Sequence, residues 1–346
     1  MTTFSDDSDN RGANVSRILQ ADFQPTFWAA GPHVQSVLSS AQPRRWLIRR
    51  ATRDFRAASE DLLIDCGEGV RLLGHFNAAQ GKPNGRLVVV LHGWEGSSDS
   101  IYNLTVGPQL NRHGFDTVRL NLRDHGESHH LNEELFHSCR LNEVVGAFQW
   151  IAGRFPDRRI SAVGFSLGGN FVLRVANRAR SAGFDLEQVV AICPVLDPVQ
   201  TMRALDQGPA IYERYFIHKW RRSLMKKRAA FPHIYHFNEL ASLKSLVHMT
   251  DHFVVNYTEY DDLQTYLKGY AITEGRLDDI DIPTTVLMAD DDPVIPISGL
   301  QNMRWPAAVE LYRSPTGGHC GFLQGAKLQT WLDQFVLRQL TRQSAS

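Results

Sequence analysis

The chain has 346 residues, of which 43% are hydrophobic and 21% charged, with 37 basic and 37 acidic side chains. That length holds one large α/β domain with an insertion, or two ordinary domains, and the composition is that of a globular protein in water. The charge balance offers no basic footprint for nucleic acid, and no apolar run approaches the roughly 18 residues that would cross a membrane.

Residues 1–22 are short of apolar side chains and rich in Ser, Asp and Asn, and are expected to be disordered. They lack the basic start and apolar stretch of a secretory signal. Residues 23–55 carry Phe23, Phe27, Trp28, Val34, Val37, Leu38 and Trp46 among prolines, a pattern expected of an arm packed over a domain surface. Two strands, 61–66 and 70–76, are predicted to pair across Gly67-Glu68-Gly69. Arg86 to Leu91 is apolar after its first residue, as a strand buried on both faces would be.

From there helices (103–113, 142–154, 169–177) alternate with strands (117–122, 160–165, 188–193), the signature of a parallel sheet with helices on both faces. Between 197 and 281 the alternation stops, and a helical insertion rich in aromatic and basic residues follows. It resumes with strands at 283–289 and 308–312 and a closing amphipathic helix over 323–340. The expected core is therefore 56–196 with 282–342, and 197–281 is a lid. The four cysteines, Cys66, Cys139, Cys193 and Cys320, lack Cys-x-x-Cys spacing, which argues against a zinc site and for reduced thiols in the cytoplasm.

Gly164-Phe165-Ser166-Leu167-Gly168 falls where the 160–165 strand must turn at once into a helix. Such a turn strains the central residue and lifts its side chain clear of the sheet, so Ser166 is expected to present an activated hydroxyl. Acyl chemistry at a serine passes through an oxyanion that needs two fixed N–H donors. Leu167, at a helix start, and Trp94, in His92-Gly93-Trp94-Glu95-Gly96-Ser97-Ser98 after the 86–91 strand, are the candidates. Asp290-Asp291-Asp292-Pro293 supplies an acid to orient an imidazole, with Asp292 preferred and Asp291 next. His319, in Gly317-Gly318-His319-Cys320-Gly321, is the candidate base. The order Ser166, Asp292, His319 is the one expected when a nucleophile follows one strand and its partners follow later ones. His125, His129 and His130 are read as a polar loop rather than a metal cluster.

Together these segments resemble the α/β-hydrolase superfamily and, more narrowly, its YheT-like branch, to which Pro25-Thr26-Phe27-Trp28, His33-Val34-Gln35 and Phe136-His137-Ser138 are also similar. The resemblance covers residues 23–340. It implies a mostly parallel central sheet flanked by helices, a charge-relay triad of Ser166, Asp292 and His319, no cofactor or metal, and a small-molecule ester with a short- to medium-chain acyl group. The chain departs from the branch at Gly67-Glu68-Gly69, at Cys139-Arg140 and through most of the insertion, which leaves the substrate open. Tyr212, Tyr215, Phe216, Trp220 and Phe253 are expected to line an apolar acyl pocket. The basic stretch 218–228 reads as a solvated helix face, with weak contact to an anionic membrane surface as the alternative. Hydrolysis leads; acyl transfer to an alcohol by the same residues, and a catalytically silent binding protein on this fold, are the competing readings.

Overall fold

The computed structural model describes residues 17–325 and 329–342. A short strand, β1 (Arg17–Gln20), leads into α1 (Pro32–Ser40), α2 (Gln42–Ala51) and α3 (Arg53–Ala57). A hairpin of β2 (Glu60–Asp65) and β3 (Arg71–Asn77) follows, and then β4 (Arg86–Leu91), α4 (Ile101–Arg112), β5 (Asp116–Asn121), α5 (Leu141–Arg154), β6 (Arg159–Phe165), α6 (Leu167–Arg178) and β7 (Gln188–Ile192). The helices α7 (Pro198–Gln207), α8 (Ala210–Ala230), α9 (Leu246–Tyr257) and α10 (Leu263–Gly269) come before β8 (Thr284–Ala289) and β9 (Val309–Ser314). Two-residue strands β10 (Leu323–Gln324) and β11 (Gln329–Thr330), then α11 (Leu332–Thr341), end the described chain.

Among the described residues, nine strands form one sheet in the order β1-β9-β8-β7-β6-β4-β5-β3-β2. Pairing is parallel from β1 through β5; β3 alone runs the other way, antiparallel to β5 on one side and to β2 on the other. The central strands are apolar throughout because each residue meets a core. In β4, Leu87, Val89 and Leu91 join the cluster on one face, while Val88 and Val90 join the cluster on the other. Parallel strands covered by helices on both faces need that pattern, and it orients the carboxyl ends of β4, β6, β7, β8 and β9 toward one edge.

Three expectations need correction. Residues 17–20, within the segment expected to be disordered, form an edge strand in parallel register with β9, Arg17 opposite Glu310 and Gln20 opposite Arg313; residues 1–16 lie outside the described residues. The helix expected over 323–340 begins only at Leu332, because Leu323 and Gln324 pair antiparallel with Thr330 and Gln329. The arm is anchored by Phe23, edge-on to Phe322 at 5.2 Å, but Phe27 and Trp46 are 90% and 61% exposed rather than packed down.

The insertion is pinned to the core from α8. Lys227, fully buried, donates to Asp124 Oδ1 (2.8 Å), Asn132 O (2.6 Å) and Glu134 O (3.0 Å). Removing one partner of such a pair leaves an uncompensated buried charge, at a cost of about 3–5 kcal/mol. The basic stretch is thus not a uniformly solvated face. Lys219 donates to Glu95 O, Arg221 to Leu243 O (2.6 Å) and Lys226 to Glu127 Oε1 (3.0 Å).

Candidate active site

Ser166 sits between β6 and α6 with φ 54° and ψ −119°, a conformation a non-glycine residue adopts only when its surroundings impose it. Those surroundings are specific. Its N–H donates to Ile192 O at 2.9 Å, and its carbonyl accepts from Asn170 N at 3.1 Å. A Cβ on Gly164 would lie 2.2 Å from Gly168 O, and one on Gly168 would lie 2.5 Å from His92 O. Only glycine fits at either place, so strand, helix and the loop after β4 close on the serine. Within β6, Ser166 and α6 as far as Phe171, Ser166 is the residue not fully buried after Arg159.

The structure brings His319 and Asp292 to that hydroxyl. His319 Nε2 is 2.9 Å from Ser166 Oγ, and His319 Nδ1 is 2.8 Å from Asp292 Oδ2. Asp292 Oδ1 is occupied by the N–H groups of Val294 (2.8 Å) and Ile295 (2.9 Å), which fix the carboxylate with its other oxygen toward the ring. Asp291 faces away and accepts from Gly318 N at 2.9 Å. Burial disfavours a charged His319 ring, but the Asp292 carboxylate and its hydrogen bond, with a contribution from Cys320, outweigh it and push the imidazole up to about 9.

The N–H groups of Leu167 and Trp94 have no protein acceptor among the described residues, while Gly93 N donates to Tyr102 OH at 2.7 Å. Leu167 opens α6, where backbone N–H groups are unpaired and the helix dipole is positive. The loop carrying Trp94 is held by two buried rings. His92 donates from Nδ1 to Gly93 O (2.7 Å) and accepts from Leu122 N (3.2 Å); His125 donates to Arg123 O (2.6 Å) and accepts from Glu95 N (3.1 Å). Burial keeps both neutral, His125 lowered to about 4. Those donor and acceptor roles leave neither ring a nitrogen for a metal.

Sequence reasoning missed the part played by the arm. Ser36 Oγ accepts from His319 N at 2.8 Å, and Gln35 bridges Ala29 O (2.7 Å), Leu323 O (3.0 Å) and Leu323 N (2.6 Å), so α1 braces the loop that carries His319. Nothing local in His33-Val34-Gln35-Ser36 signals this.

Two cavities meet at Ser166. The outer, about 230 Å³, includes His319, Tyr212 and Tyr215. The inner, about 100 Å³, includes Leu167, Val195, Met202, Leu205 and Trp220. Phe216, stacked on Trp94 at 5.2 Å, stands between them. Phe253 lines neither; it lies on a space of about 50 Å³ behind Trp220. A larger open cleft of about 480 Å³, flanked by Arg174 and Arg276, does not include Ser166.

This sheet, with a strained serine after one strand and a hydrogen-bonded acid and histidine after later ones, defines a class. A family model described as alpha/beta hydrolase fold matches residues 86–326, and the chain belongs to that family. Its similarity to the YheT-like branch spans nearly the whole length: it is 28% identical over 336 residues to the Escherichia coli K12 protein named "Putative esterase YheT", covering 93% of each chain. It is 24% identical over 216 residues to mouse monoacylglycerol lipase ABHD2, covering 56% of this chain and 51% of that one. Among solved structures it resembles the Pyrococcus furiosus esterase Pf2001 in fold, with a TM-score of 0.54 and 17% identity over 82% of this chain and 90% of that one.

Proposed function

We propose that the protein is a serine hydrolase of carboxylic esters with short- to medium-chain acyl groups. The observation that carries this reading is the continuous hydrogen-bonded series Ser166–His319–Asp292 beside two N–H donors that have no acceptor among the described residues. Esterase names among the relatives support it.

Ser166 Oγ attacks the acyl carbon while His319 Nε2 takes its proton, and Asp292 holds the ring with Nδ1–H toward the carboxylate. The N–H groups of Leu167 and Trp94 receive the oxyanion, each contributing roughly 3–4 kcal/mol to the transition state. On collapse His319 returns the proton to the leaving alcohol oxygen. Water, deprotonated by His319, then attacks the acyl-enzyme; on collapse the acid leaves and Ser166 Oγ takes that proton from His319 Nε2, restoring both groups. Transfer of the acyl group to an alcohol would use the same groups with the alcohol in place of water.

Among the described residues the four cysteines are unpaired thiols, which supports a reducing compartment such as the cytoplasm. No helix of the described residues is long and apolar enough to cross a membrane.

Hydrolysis of p-nitrophenyl butyrate tests the reading. Ser166→Ala and His319→Ala should each lower kcat/KM by about 10⁴-fold with the melting temperature little changed. A folded variant with near-normal turnover removes that residue from the mechanism.

A further inference from the structure

The inner and outer cavities are distinguished by two residues that the proposed reaction uses. His319 lines the outer cavity and is absent from the inner one, whereas Leu167 lines the inner cavity and is absent from the outer. In ester cleavage by Ser166 the leaving oxygen must lie where His319 Nε2 can protonate it, and the carbonyl oxygen must lie against the N–H of Leu167. The alcohol half of the substrate therefore extends into the outer cavity, and the acyl half into the inner one.

The two spaces ask for different groups. Val195, Met202, Leu205, Leu246 and Ile295 make the inner wall apolar. Its volume of about 100 Å³ is below the roughly 150 Å³ that admits benzene in an engineered apolar cavity, so it suits an acyl chain of about four carbons. The outer cavity is bordered by Arg44, Arg45 and Lys219. Glu95 is the one acid among its described lining residues, and burial, opposed by Lys219, pushes that carboxyl up to about 8. Lys219 donates to the backbone carbonyl of Glu95 and lies 5.6 Å from the Tyr215 ring centre, and it makes no direct ion pair with a carboxylate among the described residues. The half-buried Arg45 side chain has no hydrogen bond or ion pair among the described residues.

We infer that the outer cavity holds the alcohol half of the ester and that this half carries an anionic group, a carboxylate or a phosphate, recognised by Arg45 and Lys219, while the acyl half is short. The inference rests on the proposed ester hydrolysis at Ser166. It narrows the substrate class to short-chain esters of hydroxy acids or of phosphorylated alcohols, and it makes Arg45 and Lys219 specificity residues for the same reaction.

Three esters with one acyl group test it: 4-(butyryloxy)benzoate, 4-(butyryloxy)phenyl phosphate and the neutral 4-(butyryloxy)benzamide. The carboxamide is more electron-withdrawing than the carboxylate, so chemical reactivity alone favours the neutral ester. At low ionic strength kcat/KM should instead favour at least one anionic ester by about five- to tenfold, and the preferred one identifies carboxylate or phosphate. The preference should shrink toward one in Arg45→Gln and in Lys219→Gln, persist in Arg45→Lys, and weaken with added salt. No preference in the unaltered protein, or a preference that survives both glutamine substitutions, overturns the inference. When the neutral ester is cleaved and Ser166→Ala abolishes that cleavage, such a result leaves the hydrolase reading intact. Cleavage of all three esters by Ser166→Ala at the unaltered protein's rate removes both.

Discussion

Asp291 and Asp292 are chemically identical neighbours with different surroundings. Asp292 has its side chain completely buried and its Oδ2 accepts from His319 Nδ1, whereas Asp291 Oδ1 accepts from Gly318 N. Asp292→Asn should therefore lower kcat/KM by about 10⁴-fold, because an amide no longer holds the ring in the required tautomer. Asp291→Asn should cost at least a hundredfold less. The pH profile carries a second signature. Only a neutral His319 can accept the proton of Ser166, and Asp292 raises the ring from 6.5 to about 9 despite its burial. The acid limb of kcat/KM should thus lie above 6.5, with activity climbing as pH rises through the folded-state value, and Asp292→Asn should move that limb to lower pH. A limb at the same pH in both proteins would contradict the pairing. The sequence narrowed the acid to two neighbours and, through the resemblance, preferred the one before Pro293, which is the one seen on His319; residue type and spacing alone do not separate them. The choice depends on which oxygen the N–H groups of Val294 and Ile295 capture, a matter of three-dimensional turn geometry.

The elements around the site differ in how plainly they can be read. The strand–turn–helix at Ser166 is encoded locally, in an apolar run and two glycines that close packing demands. The brace from α1 is not. Gln35 meets Leu323 across 288 residues of chain, and a contact of that range leaves no periodicity or turn signal. The same contact bears on the missed strands, since Leu323 belongs to the β10–β11 pair where amphipathic spacing had implied a helix. Gln35 is fully buried and makes three hydrogen bonds, so Gln35→Ala orphans both backbone groups of Leu323 as well as Ala29 O. Unfolding by urea should show a loss of about 1–3 kcal/mol, with a fall in kcat as the His319 loop loosens. Unchanged stability and unchanged kcat would mean that the arm merely covers the loop.

Across the whole molecule, chain order was the most informative signal. A parallel sheet collects the ends of β6, β8 and β9 at one edge, so a serine, an acid and a histidine following those strands in sequence converge in space, with α1 and the loop after β4 completing the ring around them. The sequence contained that order in full. It did not contain the shape of the space above Ser166, because helices of the insertion meet the loop after β4 at both cavities and the arm at the outer one. The aromatic residues read as one pocket in the sequence are divided in the structure between two cavities, with Phe253 behind both. The account depends on Ser166 acting as the nucleophile, and covalent labelling tests that most directly. The folded protein should react with a fluorophosphonate probe to give a single adduct, found by peptide mass spectrometry on Ser166 and suppressed by prior addition of a butyrate ester. Absence of an adduct on the folded protein, or one placed on another residue, would contradict it.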